Sequence, residues 1–304
     1  MMVYKGAHER SNKIAELLFD SFSFGGILGR NDMPEDTLPS GVIKGSLEHL
    51  LFITFTVAID YQRDATTLWA NSRKTFEDLE TRYLFFPDRL NETGFDKIVR
   101  DMQKYGLSKK FHRDALIWQT LGLTFFRKWD SNPVNFLDSS QWDSLLILEH
   151  LKNDIHFSDG KYASDFPNLR GAKIGPLWVR MLRDNVGITK LLNLDKAPIP
   201  VDIHIARATL ATGVVRGQYE GMLEELYMDI REAWFEGVKE LRIKNRSMIA
   251  LDVDEPLWHL SKYGCSKNRD KSTGYCSVIN ICEARDFCIG GKIKIKNNFV
   301  ELDT

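Results

Sequence analysis

From Ser46 onward the apolar residues of this 304-residue chain recur at intervals of three and four, as in LEHLLFITFTVAID, FDKIVRDMQKYG and RDALIWQTLGLTFFRKW. That period lines them along one face of a helix, so the middle of the chain is expected to fold as a stack of buried and amphipathic helices. The segments LFFPDRL, DSNPV and SDGKYASDFPN carry Pro, Gly and Asp and read as short connections. Before Ser46 an amphipathic helix is expected around residues 12–22, after which Gly25, Gly26, Gly29, Pro34 and Pro39 break any long helix. Further helices are expected at 176–185, 203–211 and 219–240, the last leading into a basic run with Lys239, Arg242, Lys244 and Arg246. Only KIKIKNNFVEL alternates with period two, around Asn297-Asn298, so a small terminal β-hairpin is expected. Trp69, Trp118, Trp129 and Trp142 fall on apolar helix faces and are expected to pack in the core.

With 43% hydrophobic and 27% charged residues the chain can bury a sizeable core, as one large domain or two lobes. No apolar run approaches the roughly 20 residues needed to span a bilayer. The first residues, MMVYKGAHERSNK, lack the apolar core of a secretion signal, so cytoplasmic residence without a membrane partner is the expectation. A formal net charge of -1 offers no global attraction to nucleic acid, which therefore has to be sought in local patches. All four cysteines, Cys265, Cys276, Cys282 and Cys288, lie near the end of the chain with spacing C-x10-C-x5-C-x5-C. In a reducing compartment, thiols clustered in this way are more often metal ligands than disulfides.

The stretch PIPVDIHIARATLATG sets Asp202 between a Pro-rich turn and an apolar helix, where its carboxylate can accept the free N–H groups of the first turn. Two segments together carry more than a capping motif. Residues 166–182, FPNLRGAKIGPLWVRML, and residues 201–207, VDIHIAR, resemble the turn and the Val-Asp-x-His-x-x-Arg signature of the helix-hairpin-helix DNA glycosylase superfamily, in its endonuclease III-like, iron–sulfur branch. On that register Gly171 matches the second glycine of the hairpin and Lys173 its lysine, while Asp202 falls on the catalytic aspartate. Leu169 stands where the first glycine is usual, Gly175-Pro176 follow the lysine closely, and of the cysteine spacing only the final C-x5-C matches. AIDYQRDATTLW resembles the family segment whose glutamine fills the space left by an extruded base, which sets Gln62, with Tyr61 and Arg63, near DNA. YGLSKKFHRDALI resembles the Gly-Leu segment that precedes the next helix.

The resemblance implies an all-α, two-lobed fold with a cysteine-bound cluster loop. A six-helix lobe would run from 45 to 188 and end in the helix-hairpin-helix; residues 1–44 and 189–304 would form a second helical lobe carrying Asp202 and the cysteines. It also implies a monomeric, nucleoid-associated enzyme acting on double-stranded DNA. Breaking an N-glycosidic bond builds positive charge on the sugar, and a fixed carboxylate beside it stabilises that charge. Asp202 is expected in that role. Lys173 is the candidate nucleophile of an associated abasic-site lyase, across a cleft from Asp202. Backbone N–H groups of the turn at Gly171, Ala172 and Gly175 would bind phosphate without strong net positive charge. His204 would orient its helix or contact the DNA backbone.

Four thiolates would hold a [4Fe-4S] cluster bracing the loop between Cys265 and Cys276, whose Lys267, Arg269 and Lys271 would meet phosphate. Zinc is the competing metal, although structural zinc prefers closer C-x2-4-C pairs, and free thiols are a third reading. Two other functions are compatible with these residues: a non-catalytic iron–sulfur DNA-binding module, and an N-glycoside hydrolase acting on nucleosides or RNA. The base that is excised depends on side chains scattered over several helices and is not encoded in any one motif.

Overall fold

Short polar side chains mark where the helices begin. A computed structural model describes residues 3–5, 8–158, 160–270, 272–290, 292–296 and 299–303. Its helices, in chain order, are α1 (His8–Phe24), α2 (Leu47–Ala58), α3 (Ala65–Glu77), α4 (Pro87–Asn91), α5 (Phe95–Asp101), α6 (Phe111–Trp129), α7 (Pro133–Ser139), α8 (Ser144–Asn153), α9 (Ile174–Met181), α10 (Ile203–Ala211), α11 (Leu223–Val238) and α12 (Asp254–His259). Ser46, Asp64, Asn132 and Asp143 cap α2, α3, α7 and α8 by accepting N–H groups of the first turn. The strands are β1 (Val3–Lys5), β2 (Ile155–Ser158), β3 (Lys161–Ser164), β4 (Val215–Met222), β5 (Arg242–Ile243), β6 (Arg246–Ser247), β7 (Lys292–Lys296) and β8 (Phe299–Asp303). The protein is thus mostly helical with small antiparallel additions.

The chain divides into a continuous unit, 33–194, and a split unit made of 1–32 and 195–304. In the continuous unit an aromatic core joins α2, α3 and α6: Phe52 meets Phe76 edge-on at 5.7 Å, Phe76 meets Phe85 at 4.9 Å, and Phe85 meets Trp118 at 5.2 Å. Gly122 lets α6 approach α4, since a Cβ there would come within 2.5 Å of Leu90 Cδ1. A second cluster, Phe125, Trp129, Phe136 and Phe166, packs the end of α6 against α7 and the segment leading to α9. Trp178 of α9 is fully buried and donates its indole N–H to Thr54 of α2 at 3.0 Å. The far end of α9 is held by a buried ion pair, Arg180 to Glu35 at 2.5 Å, with both side chains almost fully enclosed. Trp69 and Trp118 are fully enclosed as expected, whereas Trp142 sits half-buried in the turn before α8 and not on a helix face.

In the split unit α1 lies against α11. The contact is close because Gly237 has no side chain; a Cβ there would stand 2.4 Å from Ser11 Cβ. Trp234 of α11 is fully buried and donates to Thr209 of α10 at 2.8 Å. The expected terminal hairpin is present as β7–β8 and belongs to a larger structure, a four-stranded antiparallel sheet in the order β1-β4-β8-β7. Residues 219–222, expected to open a helix, instead belong to β4, and the helix begins at Leu223. Asn297 and Asn298, at the expected turn, lie outside the described residues. The segment 158–168, expected as a plain connection, supplies Ser158 to β2 and the whole of β3, which pair as a hairpin between α8 and α9.

Candidate nucleic-acid interface

Within the continuous unit, the segment 166–175 folds as a tight turn into α9. Phe166 and Leu169 are buried and anchor it. Asn168 takes up the left-handed backbone (φ +66°), a conformation that Asn tolerates better than most residues. Its amide donates to Ala58 O at 3.0 Å and its carbonyl accepts Gly171 N–H at 2.8 Å. The left-handed position that closes the turn is therefore Asn168, and the next residue, Leu169, is buried. Gly175 is the second residue of α9, where a Cβ would lie 2.8 Å from Leu169 O and 3.1 Å from Leu148 Cδ2. Pro176 follows in the first helical turn, where a missing N–H is tolerated. Lys173 stands at the N-cap of α9, and its Nζ donates to Asp60 O at 3.2 Å and lies 3.6 Å from Asp60 Oδ2. Gly171 is half-buried and Ala172 exposed.

Asp60 opens the loop between α2 and α3. Gln62 has φ +51°, is exposed, and accepts a hydrogen bond from Lys110 Nζ at 2.5 Å. Tyr61 donates to the buried Asp114 at 2.6 Å, and burial with that contact pushes its hydroxyl up to about 12. Lys110 and Arg113 lie over the Tyr61 ring at 4.5 and 5.1 Å. Arg63 is used inside the unit: it donates to Leu107 O at 2.8 Å and sits 4.0 Å from Asp114, with its side chain only 6% exposed. Arg63 thus ties the AIDYQRD loop to the YGLSKK loop. The turn, Lys173, Asp60 and the Gln62 loop all belong to one unit.

The split unit holds the other candidates. Asp202, in extended backbone, caps α10, its Oδ1 accepting His204 N–H at 2.7 Å and Ile205 N–H at 3.1 Å. Arg207 and Tyr227 carry charge interactions with it, and burial followed by that carboxylate raises the Tyr227 hydroxyl well above its ordinary value. His204 is packed, with Nδ1 3.2 Å from Ser261 Oγ and its ring against Trp258.

All four cysteines line one small pocket, with Ala211, Leu260 and Ile279 among its apolar walls. Burial pushes the Cys265 thiol up to about 12, against the opposing pull of the Arg269 guanidinium, and that of Cys282 up to about 11. Arg269 turns inward rather than toward solvent: it donates to Cys288 Sγ at 3.1 Å and Gly290 O at 2.7 Å, and its buried Nε has no hydrogen-bond partner. Lys267 is exposed, and Lys271 lies outside the described residues. Among the described residues no three Cys, His, Asp or Glu side chains stand close enough to hold one metal ion, as tetrahedral zinc requires.

A feature absent from the sequence reading lies beside the turn. The hairpin β2–β3 and one face of α6 enclose a cavity of about 690 Å³ that reaches Pro167 and Asn168. Its cue was the pair of four-residue runs IHFS and KYAS either side of a Gly-containing turn.

No protein-family model and no curated protein sequence matches the chain. Among solved structures it is similar to an endonuclease III–DNA complex trapped as a covalent intermediate with an estranged adenine, at 13% identity and TM-score 0.52, over 92% of this chain and 98% of that one. No helix among the described residues is long and apolar enough to cross a membrane. The likeness spans nearly the whole chain: the protein has an endonuclease III-like fold.

Proposed function

We propose that this protein is a DNA glycosylase, and that Asp202 and Lys173 carry its chemistry. The observation that supports this most is that a chain with the fold of a DNA-bound glycosylase has a lysine at the start of α9 directly after the Asn168–Gly171 turn. In the proposed reaction the bond between C1′ of the sugar and the base nitrogen breaks, its electron pair leaves with the base, and positive charge grows on the sugar. The Asp202 carboxylate, oriented by two backbone N–H groups, offsets that charge. In a lyase branch the neutral amine of Lys173 bonds to C1′ as the base leaves with the electron pair of its C1′–N bond; the C1′–O4′ bond then breaks, O4′ takes up a proton from the nitrogen as the sugar ring opens, and a protonated Schiff base remains. Asp60, 3.6 Å from Nζ, provides a carboxylate beside it. The N–H groups of Gly171 and Gly175 are spent within the turn, on Asn168 O at 2.8 Å and Gly171 O at 3.0 Å, and Gly175 is buried, so of the three expected phosphate contacts only exposed Ala172 is retained for a phosphate of double-stranded DNA.

Four thiols around one pocket, with an inward guanidinium to offset their charge, fit a [4Fe-4S] cluster held by Cys265, Cys276, Cys282 and Cys288. Such a cluster spreads its ligands over several metals, whereas structural zinc prefers closer C-x2-4-C pairs than this chain offers. When bound it braces the loop and performs no step of base excision. Arg269 then serves the cysteines, and among the described residues of that loop Lys267 is the cation exposed for phosphate.

The test incubates the protein with duplexes carrying different damaged, mispaired or modified bases, with and without borohydride. A trapped adduct lost in Lys173→Ala supports the lyase; base release that survives Lys173→Ala but not Asp202→Asn marks a monofunctional enzyme. Excision by Asp202→Asn at the wild-type rate would refute its role. Tight duplex binding without any abasic product would favour a non-catalytic DNA-binding module.

A further inference from the structure

The cavity beside the turn contains a second set of groups that the proposed excision does not use. We propose that the cleft between β2–β3 and α6 binds an unpaired strand of DNA, its phosphates on Arg113, Arg127 and Lys161 and a base against Phe157. The proposal rests on the DNA-directed reading of this unit.

The cleft is built, not left over by poor packing. Its lining residues on α6 are 113, 116, 117, 119, 120, 123, 124, 127 and 128, which gather mainly on one side of the helix, with Ile117 and Thr124 buried at its floor. The hairpin is pinned above that face through Asp165, which is 1% exposed: Lys128 Nζ reaches Asp165 Oδ2 at 2.6 Å, His156 Nδ1 lies 2.8 Å from Oδ1, and Thr124 donates to its carbonyl at 3.0 Å. Asp165 is the single carboxylate among the described lining residues and is already matched by Lys128 and His156. Arg113, Arg127 and Lys161 are exposed and give the cleft an excess of positive charge that the whole chain, at -1, does not have.

The second requirement of a single-strand site is an aromatic surface. Phe157 and Tyr162, cross-strand partners on the hairpin, are 65% and 73% exposed and meet edge to face at 5.2 Å. With Ile155 at 49% they leave one face of a two-stranded hairpin apolar and open to solvent, a costly arrangement for a surface with no ligand. Phe157 also lines the cavity, together with Leu116 and Leu123. Flat apolar groups beside fixed cations match a nucleotide, whose base stacks while its phosphate pairs. A cavity of about 690 Å³ accommodates one such unit. Continuity selects a strand over a free nucleotide: the cleft touches Pro167 and Asn168 of the turn at one edge, and Arg113 reaches the Tyr61 ring of the Gln62 loop.

The test compares binding of a blunt duplex with the same duplex bearing a single-stranded tail of about ten nucleotides, within the range such sites cover. Fluorescence anisotropy is measured over a series of salt concentrations. The wild-type protein should prefer the tailed duplex. Phe157→Ala should weaken tailed binding between about fivefold and a hundredfold. Arg127→Glu with Lys161→Glu should lower the salt slope by about 0.7 for each lost phosphate contact. Blunt-duplex binding and base excision should be unchanged in these surface variants. Equal wild-type affinity for both duplexes overturns the proposal, as does a tail preference that the variants leave intact. Binding of deoxynucleoside monophosphate with the same variant sensitivity, but no tail preference, would replace the strand by a free nucleotide. Failure of the wild type to bind either duplex would instead overturn the DNA-directed reading itself.

Discussion

Replacing Gly175 by Ala sets two effects of opposite sign against each other in the element that carries Lys173. Ala is favoured over Gly within a helix by about 1 kcal/mol, somewhat less near its start, so propensity alone makes Gly175→Ala stabilising. The structure opposes this, because the new Cβ would lie 2.8 Å from the carbonyl oxygen of Leu169, a backbone atom that cannot swing aside, and 3.1 Å from Leu148 Cδ2. Leu169 is itself fully buried, so relief requires the turn to move away from α9. Overpacking of this kind costs about 1–3 kcal/mol, leaving a net loss of up to about 2 kcal/mol. A loss of about 1 kcal/mol lowers Tm by roughly 2–4 °C in a unit of this size. Urea unfolding of Gly175→Ala, with duplex affinity measured on the same samples, should show a lower midpoint together with weaker binding. A variant more stable than wild type by the full helix propensity would mean that Leu169 O is not in contact, and the account of how the turn seats on α9 would be wrong.

Three further outcomes follow from buried groups. His49 accepts Gly45 N–H through Nδ1 at 3.1 Å and is 1% exposed, and burial, with Lys44 adding to it, lowers its pKa to about 4. Because the unfolded state binds its proton near pH 6.5, the neutral ring contributes fully above that value, and about 2–3 kcal/mol should be lost as pH falls toward 4; His49→Gln should flatten this region of a stability–pH curve. Glu35→Gln leaves the enclosed Arg180 guanidinium without its counter-charge and should cost about 3–5 kcal/mol by urea unfolding, whereas a joint Glu35→Met, Arg180→Met exchange should recover much of it. Protein purified without oxygen should carry iron and inorganic sulfide, both reduced in Cys276→Ala; zinc in their place, or colourless iron-free protein, would refute the cluster assignment.

The sequence was most legible where one local signal had one structural meaning. Asp202 stands before a period-3.6 apolar run, and it caps α10, which spans 203–211 as expected. The turn at 168–171 was legible as a turn, but not its construction, since Asn168 takes the positive φ and Leu169 goes inward. β4 was misread because VRGQYEGM carries two glycines that weaken any strand signal, and its partner β8 lies some eighty residues away, where no local pattern can report the pairing. The β2–β3 hairpin was hidden by its brevity, four residues a side, amid the same Gly, Asp and Ser that mark ordinary loops. Arg269 reads as a cation for phosphate and Arg63 as a neighbour of DNA, yet both point into their own units, because the direction of a long side chain depends on acceptors that only the folded chain brings near. Arg180 gave no signal of burial; its partner Glu35 is far away in sequence.

The split unit draws on both early and late stretches of the polypeptide, with the continuous unit threaded between them. On a ribosome, residues 33–194 are all available for folding while β8, the cysteine loop and α11 have yet to be made. Helix α1 must then wait, its apolar stripe uncovered, until α11 emerges to receive it, and the thiols appear later still. Insertion of the proposed cluster would be among the last events of maturation, and a premature stop before Cys265 would remove every cysteine with β7 and β8 while still supplying α11 to cover α1.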